Sequence, residues 1–179
     1  MYYLGQACGI AGTVLTIITP QFRRKTQMLA CNAFVNGLNA MNFLLIGQTG
    51  SAVFLCLVAV IQSVVSICHE KWGTAVSSLE TVLFFLLYVG FGFYGMISIP
   101  GFVWEMNRQN LVELLPVIGA LMLMLSVFAK EPQRTRLFLL FYAAVWTVYS
   151  AITGAAVVFS CVASVISASA ALWKYRRKC

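Results

Sequence analysis

SAVFLCLVAVIQSVVSIC, residues 51–68, runs without a single Asp, Glu, Lys or Arg until His69-Glu70-Lys71-Trp72-Gly73 stops it. Crossing the hydrocarbon core of a bilayer takes roughly 20 predominantly apolar residues, with a range of about 17 to 25. The run has that length, and Trp72 in the closing cluster suits a membrane–water interface. Working outward, six further segments fit the same description: 6–22, 28–46, 75–98, 112–129, 136–153 and 155–173. The pattern predicts an all-α integral membrane protein of seven transmembrane helices.

The breaks have physical causes. Arg23-Arg24-Lys25 ends the first segment, because adjacent cations are costly inside hydrocarbon. Gly47-Gln48-Thr49-Gly50 makes a polar turn between the second and third. Pro100-Gly101, followed by the stretch from Glu105 to Asn110, forms the longest polar interval. Lys130-Glu131-Pro132-Gln133-Arg134 separates the fifth from the sixth, Gly154 marks a short turn, and Lys174-Tyr175-Arg176-Arg177-Lys178 follows the seventh.

Composition agrees. Of 179 residues, 61% are hydrophobic and 9% charged, and the mean hydropathy is +0.88. A soluble domain of ordinary composition carries about 25% charged residues, so too few are present here to coat a surface in water. The net charge of +7 comes from short basic clusters between apolar runs. Such clusters read as topology signals and contacts to anionic lipid headgroups rather than as a nucleic-acid site. With the N-terminus outside, 11 of the 12 Lys and Arg fall in cytoplasmic loops and the tail, and only Arg108 lies opposite. This positive-inside bias predicts a cytoplasmic C-terminus and an odd helix number. No Lys or Arg precedes the first apolar stretch, so that stretch is expected to be retained as a helix.

The chain also matches itself. A shift of 107 positions places Gly12 on Gly119, Phe34 on Phe141, Gly47 on Gly154 and Lys71 on Lys178. The shared order is helix, basic loop, helix, glycine turn, helix, basic end. Two three-helix units can be parallel only if one helix intervenes, and 75–98 supplies it. The expected organisation is a first bundle over 1–73, a linker helix and extracytoplasmic loop over 74–110, and a second bundle with a basic tail over 111–179.

Polar groups at membrane depth need partners, so their grouping is informative. At about 100° per residue, Asn32, Asn36 and Asn39 fall within a ~60° arc of the second helix, with Asn42 some way off. Tyr142, Trp146 and Tyr149 share a narrow arc of the sixth. The shift pairs Asn39 with Trp146 and Asn42 with Tyr149. An amide wall and an aromatic wall suit a ring-bearing or sugar-like solute, through hydrogen bonds on one side and stacking on the other. The competing account is packing: amides as interhelical glue worth ~0.6 kcal/mol per contact, and aromatics as ordinary core. Gln62, on one face of the third helix with Ser66, is either a ligand contact or a packed amide. Ser160, Ser164 and Ser167 are read as small residues that let helices approach closely.

Six cysteines show no metal or disulfide spacing, although Cys68 and Cys179 stand beside basic residues where acylation occurs. Neither a nucleophile–base set nor a phosphate loop appears, so neither an enzyme nor a cofactor is expected.

At the level of residues, Val112-Glu113-Leu114-Leu115-Pro116-Val117-Ile118-Gly119 and the helices after it resemble the YgjV-type bacterial inner membrane proteins. The three-plus-one-plus-three plan is similar to that of the SWEET, PnuC and PQ-loop proteins, and Pro20-Gln21 looks like the dipeptide that names the last. That resemblance implies alternating access between two bundles, with Trp146 and the asparagines in a solute pocket. The SWEET pattern also carries hinge prolines that the second and sixth segments here lack. The expectation is thus a transporter or facilitator of a small neutral or aromatic solute in a bacterial inner membrane. The alternative is a receptor or scaffold sharing the fold, as the ER retention receptor does.

Overall fold

The computed structural model describes residues 2–45, 51–97, 108–153 and 158–176. They form seven α-helices: α1 Tyr2–Ile18, α2 Lys25–Leu45, α3 Ser51–Trp72, α4 Ser78–Ile97, α5 Arg108–Phe128, α6 Pro132–Thr153 and α7 Val158–Arg176. The turns expected at Gly47 to Gly50, Pro100-Gly101 and Gly154 lie outside the described residues, as does Arg177 onward.

Helix ends follow local chemistry more closely than they follow charge. α1 stops at Ile18, before the cationic cluster, because Pro20 lacks an N–H and the chain tightens into a 3-10 turn over Thr19–Gln21. α3 runs through His69-Glu70-Lys71, four residues beyond the expected stop at 68, and ends where Gly73 takes φ 66°. There Thr74 N–H donates back to the His69 carbonyl at 3.0 Å, a Schellman ending that a glycine allows. Ser77 and Glu80 then cap α4 reciprocally: Glu80 N–H donates to Ser77 Oγ (3.1 Å) and Ser77 N–H to Glu80 Oε2 (2.7 Å). α6 begins four residues earlier than expected, with Pro132 in the first helical position where its missing N–H costs nothing.

α2 packs between α1 and α3, α6 packs between α5 and α7, and α4 touches α3 and α5. α3 also meets α5, and α1 meets α7. The deepest apolar cluster draws on several helices, including Met28, Ala59, Tyr88, Met124 and Leu139. Around this apolar core the exterior differs from that of a soluble protein. Gln62, Ser63 and Ser66 are buried, whereas Phe34, Leu79 and Ile166 project outward. Such an exterior is stable when the surrounding medium is hydrocarbon.

Among the described residues four stretches are long and apolar enough to cross a membrane: Tyr3–Gln21, Lys25–Leu45, Val53–Trp72 and Ser78–Ile97. α5 contributes a shorter apolar stretch, Leu114–Phe128. The seven spans expected from the sequence are therefore met in part. α6 carries Arg134 and Arg136 in its first turns and α7 carries Lys174 near its end.

The basic ends of the helices converge on one face. Lys25 at the start of α2 pairs with Glu70 near the end of α3 (2.6 Å), and His69 Nε2 meets Glu80 Oε1 of α4 (3.0 Å). Arg136 of α6 reaches the carbonyl of Phe22 after α1, and Tyr175 of α7 reaches the carbonyl of Gln21. This convergence follows from consecutive helices running in opposite directions.

Candidate functional site at the helix seam

The second helix orders its asparagines at two levels. Near the basic face Asn32 donates to Ser63 Oγ of α3 (3.1 Å), and Asn36 donates to the Asn32 carbonyl one turn back (2.8 Å). Both amides are buried. Further along, Asn39 and Asn42 turn to α1, where glycines make room. A Cβ built on Gly12 would stand 2.8 Å from Asn39 Oδ1, and one on Gly9 would stand 3.0 Å from Asn42 Nδ2. Asn42 Oδ1 is buried and has no hydrogen-bond partner among the described residues.

The sixth helix repeats this arrangement with different chemistry. Trp146 lies over Gly119 of α5, its Nε1 being 3.0 Å from where a Cβ would be. That indole nitrogen is likewise buried without a partner among the described residues. Tyr142 and Tyr149 flank the indole edge-on, with centroids 6.3 and 5.5 Å away. The Gly12–Asn39 and Gly119–Trp146 contacts are related by the shift of 107 positions. So are two backbone acceptors: the Ile17 carbonyl of α1 receives Ser167 of α7, and the Met124 carbonyl of α5 receives Gln62 of α3.

Between the two groups of helices, α1 and α2 on one side and α6 and α7 on the other enclose a small cavity. It measures about 20 Å³, room for about one water. Thr16, Asn32, Tyr142 and Ser164 give it polar groups, and Val35, Leu139 and Ala168 line the rest.

A polar layer closes the seam on the basic face. The Arg136 side chain is buried; Nε donates to the Pro20 carbonyl (2.9 Å) and Nη2 to the Phe22 carbonyl (2.6 Å). Nη1 reaches Gln133 Oε1 (3.1 Å), and the guanidinium lies 4.2 Å from the Tyr175 ring centroid. Beside it Gln21 Nε2 donates to the Ser167 carbonyl (2.9 Å) and hydroxyl (3.0 Å). The planar fork of arginine suits two carbonyls and an aromatic face at once.

Of the eight residues singled out from the sequence, Asn32 and Tyr142 line the cavity, and Asn36 is bonded to Asn32. Asn39 and Asn42 lie within the first group of helices, and Trp146 and Tyr149 within the second. Gln62 is placed elsewhere, at the joint of α3, α4 and α5. Its Oε1 accepts from Tyr88 OH (2.8 Å) and its Nε2 donates to Met124, so both ends of the amide are engaged. Ser164 lines the cavity, Ser167 bonds across the seam, and the Ser160 side chain lies outside the described residues. Sequence reasoning missed Arg136, which it counted as a loop cation. The signal was its position one turn into α6, where an arginine faces either headgroups or a partner within the bundle.

No curated protein and no solved structure matches the chain. The family model of the bacterial inner membrane proteins named Imp-YgjV matches residues 3–178, and the chain belongs to that family.

Proposed function

We propose that the protein is a transporter or facilitator of a small neutral or aromatic solute. In this reading it works by alternating access between two parallel three-helix bundles, residues 1–73 and 111–179, joined by α4. All seven helices cross the membrane, with the N-terminus outside and the basic face in the cytoplasm. The observation that carries the reading is the small cavity at the seam, mostly apolar but reached by Thr16, Asn32, Tyr142 and Ser164, with Arg136 bonded to the Pro20 carbonyl at its basic end. The related Gly12–Asn39 and Gly119–Trp146 contacts support two equivalent moving units. The buried Asn42 Oδ1 and Trp146 Nε1, an acceptor and a donor without partners among the described residues, lie off the cavity within the two helix groups, and in this reading the movement of the bundles brings a solute hydroxyl or amide to them. The absence of a nucleophile–base set from the sequence supports binding and passage rather than catalysis.

Purified protein in liposomes tests this with a panel of sugars, nucleosides and aromatic amines. Flux of at least one solute, reduced by Asn39→Ala and by Trp146→Ala, is the expected result. The small size of the cavity and the internal pairing of Asn32 and Asn36 favour a second reading, a static receptor or scaffold. Absence of flux for every solute, together with a protein crosslinked through the basic loops, would decide for that reading.

A further inference from the structure

A second cavity, larger than the one at the seam, lies on the basic face. The start of α2, the end of α3, the following loop, the start of α4 and the end of α5 enclose about 150 Å³, room for several waters. We propose that this pocket binds a phosphate oxyanion, presented as the phosphodiester of a phospholipid headgroup or as free phosphate.

Charge supplies the first argument. Lys25 and Lys130 both line the pocket, against the single carboxylate of Glu70. His69, also in the wall, has its two ring nitrogens occupied by Thr74 (2.6 Å) and Glu80 (3.0 Å). Within the lining, two ammonium groups thus stand against one carboxylate, and the Glu80 carboxylate outside it is engaged by His69 and by the Ser77 N–H.

Donor capacity supplies the second. An ammonium carries three N–H donors. The Lys25 side chain is only 8% exposed, yet its hydrogen bond is a single one, to Glu70 Oε1. Lys130 makes no hydrogen bond or ion pair among the described residues, whereas nearby Arg134 is held by Glu131 at 3.3 Å. Of the three hydroxyls in the lining, Ser66 donates to the Val127 carbonyl, Thr81 donates to the Ser77 carbonyl, and Thr74 is engaged with His69. Recognition therefore falls to the two ammonium groups, which bind phosphate as point charges. The position adds the third argument, because the basic ends of membrane helices lie at the depth of lipid phosphates.

This inference is independent of whether the chain moves a solute. The full chain, purified in neutral detergent, is titrated with phosphatidylglycerol, with diacylglycerol as the phosphate-free control. Sodium phosphate is compared with sodium chloride at matched ionic strength, and the thermal midpoint is followed throughout. Phosphatidylglycerol should raise the midpoint while diacylglycerol does not. Lys130→Gln should weaken the apparent affinity about fivefold or more, while Lys71→Gln, on the same face outside the pocket, changes it less than about twofold. Sodium phosphate reproducing the shift, with the same loss in Lys130→Gln, identifies free phosphate as the source. An equal response to both lipids without any phosphate effect, or equal behaviour of the two variants, overturns the proposal.

Discussion

The indole of Trp146 rests on Gly119, its Nε1 standing 3.0 Å from the point a β-carbon would occupy. The position 107 residues earlier holds Asn39, which rests on Gly12 in the same way but reaches it with the end of a short amide. The two contacts differ in how much they can yield. An amide can rotate away, whereas an indole wedged between Tyr142 and Tyr149 cannot move without disturbing both rings.

Gly119→Ala is therefore expected to destabilise the protein by about 1–3 kcal/mol through overpacking. Gly12→Ala should cost less, because the end of the Asn39 amide can turn away, while both changes recover the roughly 0.5–1 kcal/mol of removing a helical glycine. Gly37, with nothing near its missing side chain, is the control, and Gly37→Ala should be neutral or stabilising. Thermal unfolding in detergent ranks the three. A Gly119→Ala protein as stable as Gly37→Ala would contradict the packing described.

The Gln62 joint predicts a coupling. Tyr88→Phe removes one hydrogen bond and leaves Gln62 Oε1 buried without its donor. Losses for single polar contacts between membrane helices average ~0.6 kcal/mol and reach about 1.7. Gln62→Leu should cost more than Tyr88→Phe, since it also abandons the Met124 carbonyl of α5. In a double-mutant cycle, Tyr88→Phe should cost almost nothing once Gln62 is leucine. Strictly additive losses would show that the two side chains do not share a bond.

At the closed end of the seam, Arg136→Lys keeps the charge and loses the fork. Two carbonyls and an aromatic face cannot all be served by one ammonium. The expected loss is about 1–3 kcal/mol, the cost of stranding a buried acceptor, with Arg136→Gln at least as damaging. Under the transport reading both variants also loosen the basic side, so a cysteine introduced at Phe22 should react faster with a water-soluble maleimide. Unchanged stability and unchanged labelling would remove Arg136 from that role.

Lys25 and Glu70 give an asymmetric pair. Lys25 is nearly enclosed, while Glu70 is 34% exposed, so solvent screens part of their attraction. Glu70→Gln should nevertheless destabilise by about 1 kcal/mol or more, because it leaves a buried ammonium unpaired. Lys25→Met with Glu70→Gln should recover part of that loss. Thermal midpoints of the single and double variants decide it, and a double variant less stable than Glu70→Gln alone would count against the pairing.

Lipid as the surrounding medium, seven helices and the gathering of cations on one face were legible from composition and apolar run length alone. Those features follow from transfer energies summed over many residues, and single errors of position do not disturb them. The glycines at 12 and 119 were visible as repeat markers, yet their use as seats for Asn39 and Trp146 was not. Periodicity reports which face a side chain occupies and is silent about which neighbour fills the space before it. For the same reason Gln62 and Asn36 looked alike on paper, although one ties three helices together and the other bonds one turn back along its own helix.

Sequence by itself thus determined the solvent of this protein, its helical class and its family, because hydrophobicity is a property that residues carry wherever they stand. Tertiary structure alone decided that Arg136 fastens α6 to the end of α1, that Gln21 meets Ser167, and that Lys25 and Lys130 share one pocket. These contacts join positions more than a hundred residues apart. Hydrogen bonds and ion pairs act over a few ångströms, so only the packed chain determines which distant groups come within reach.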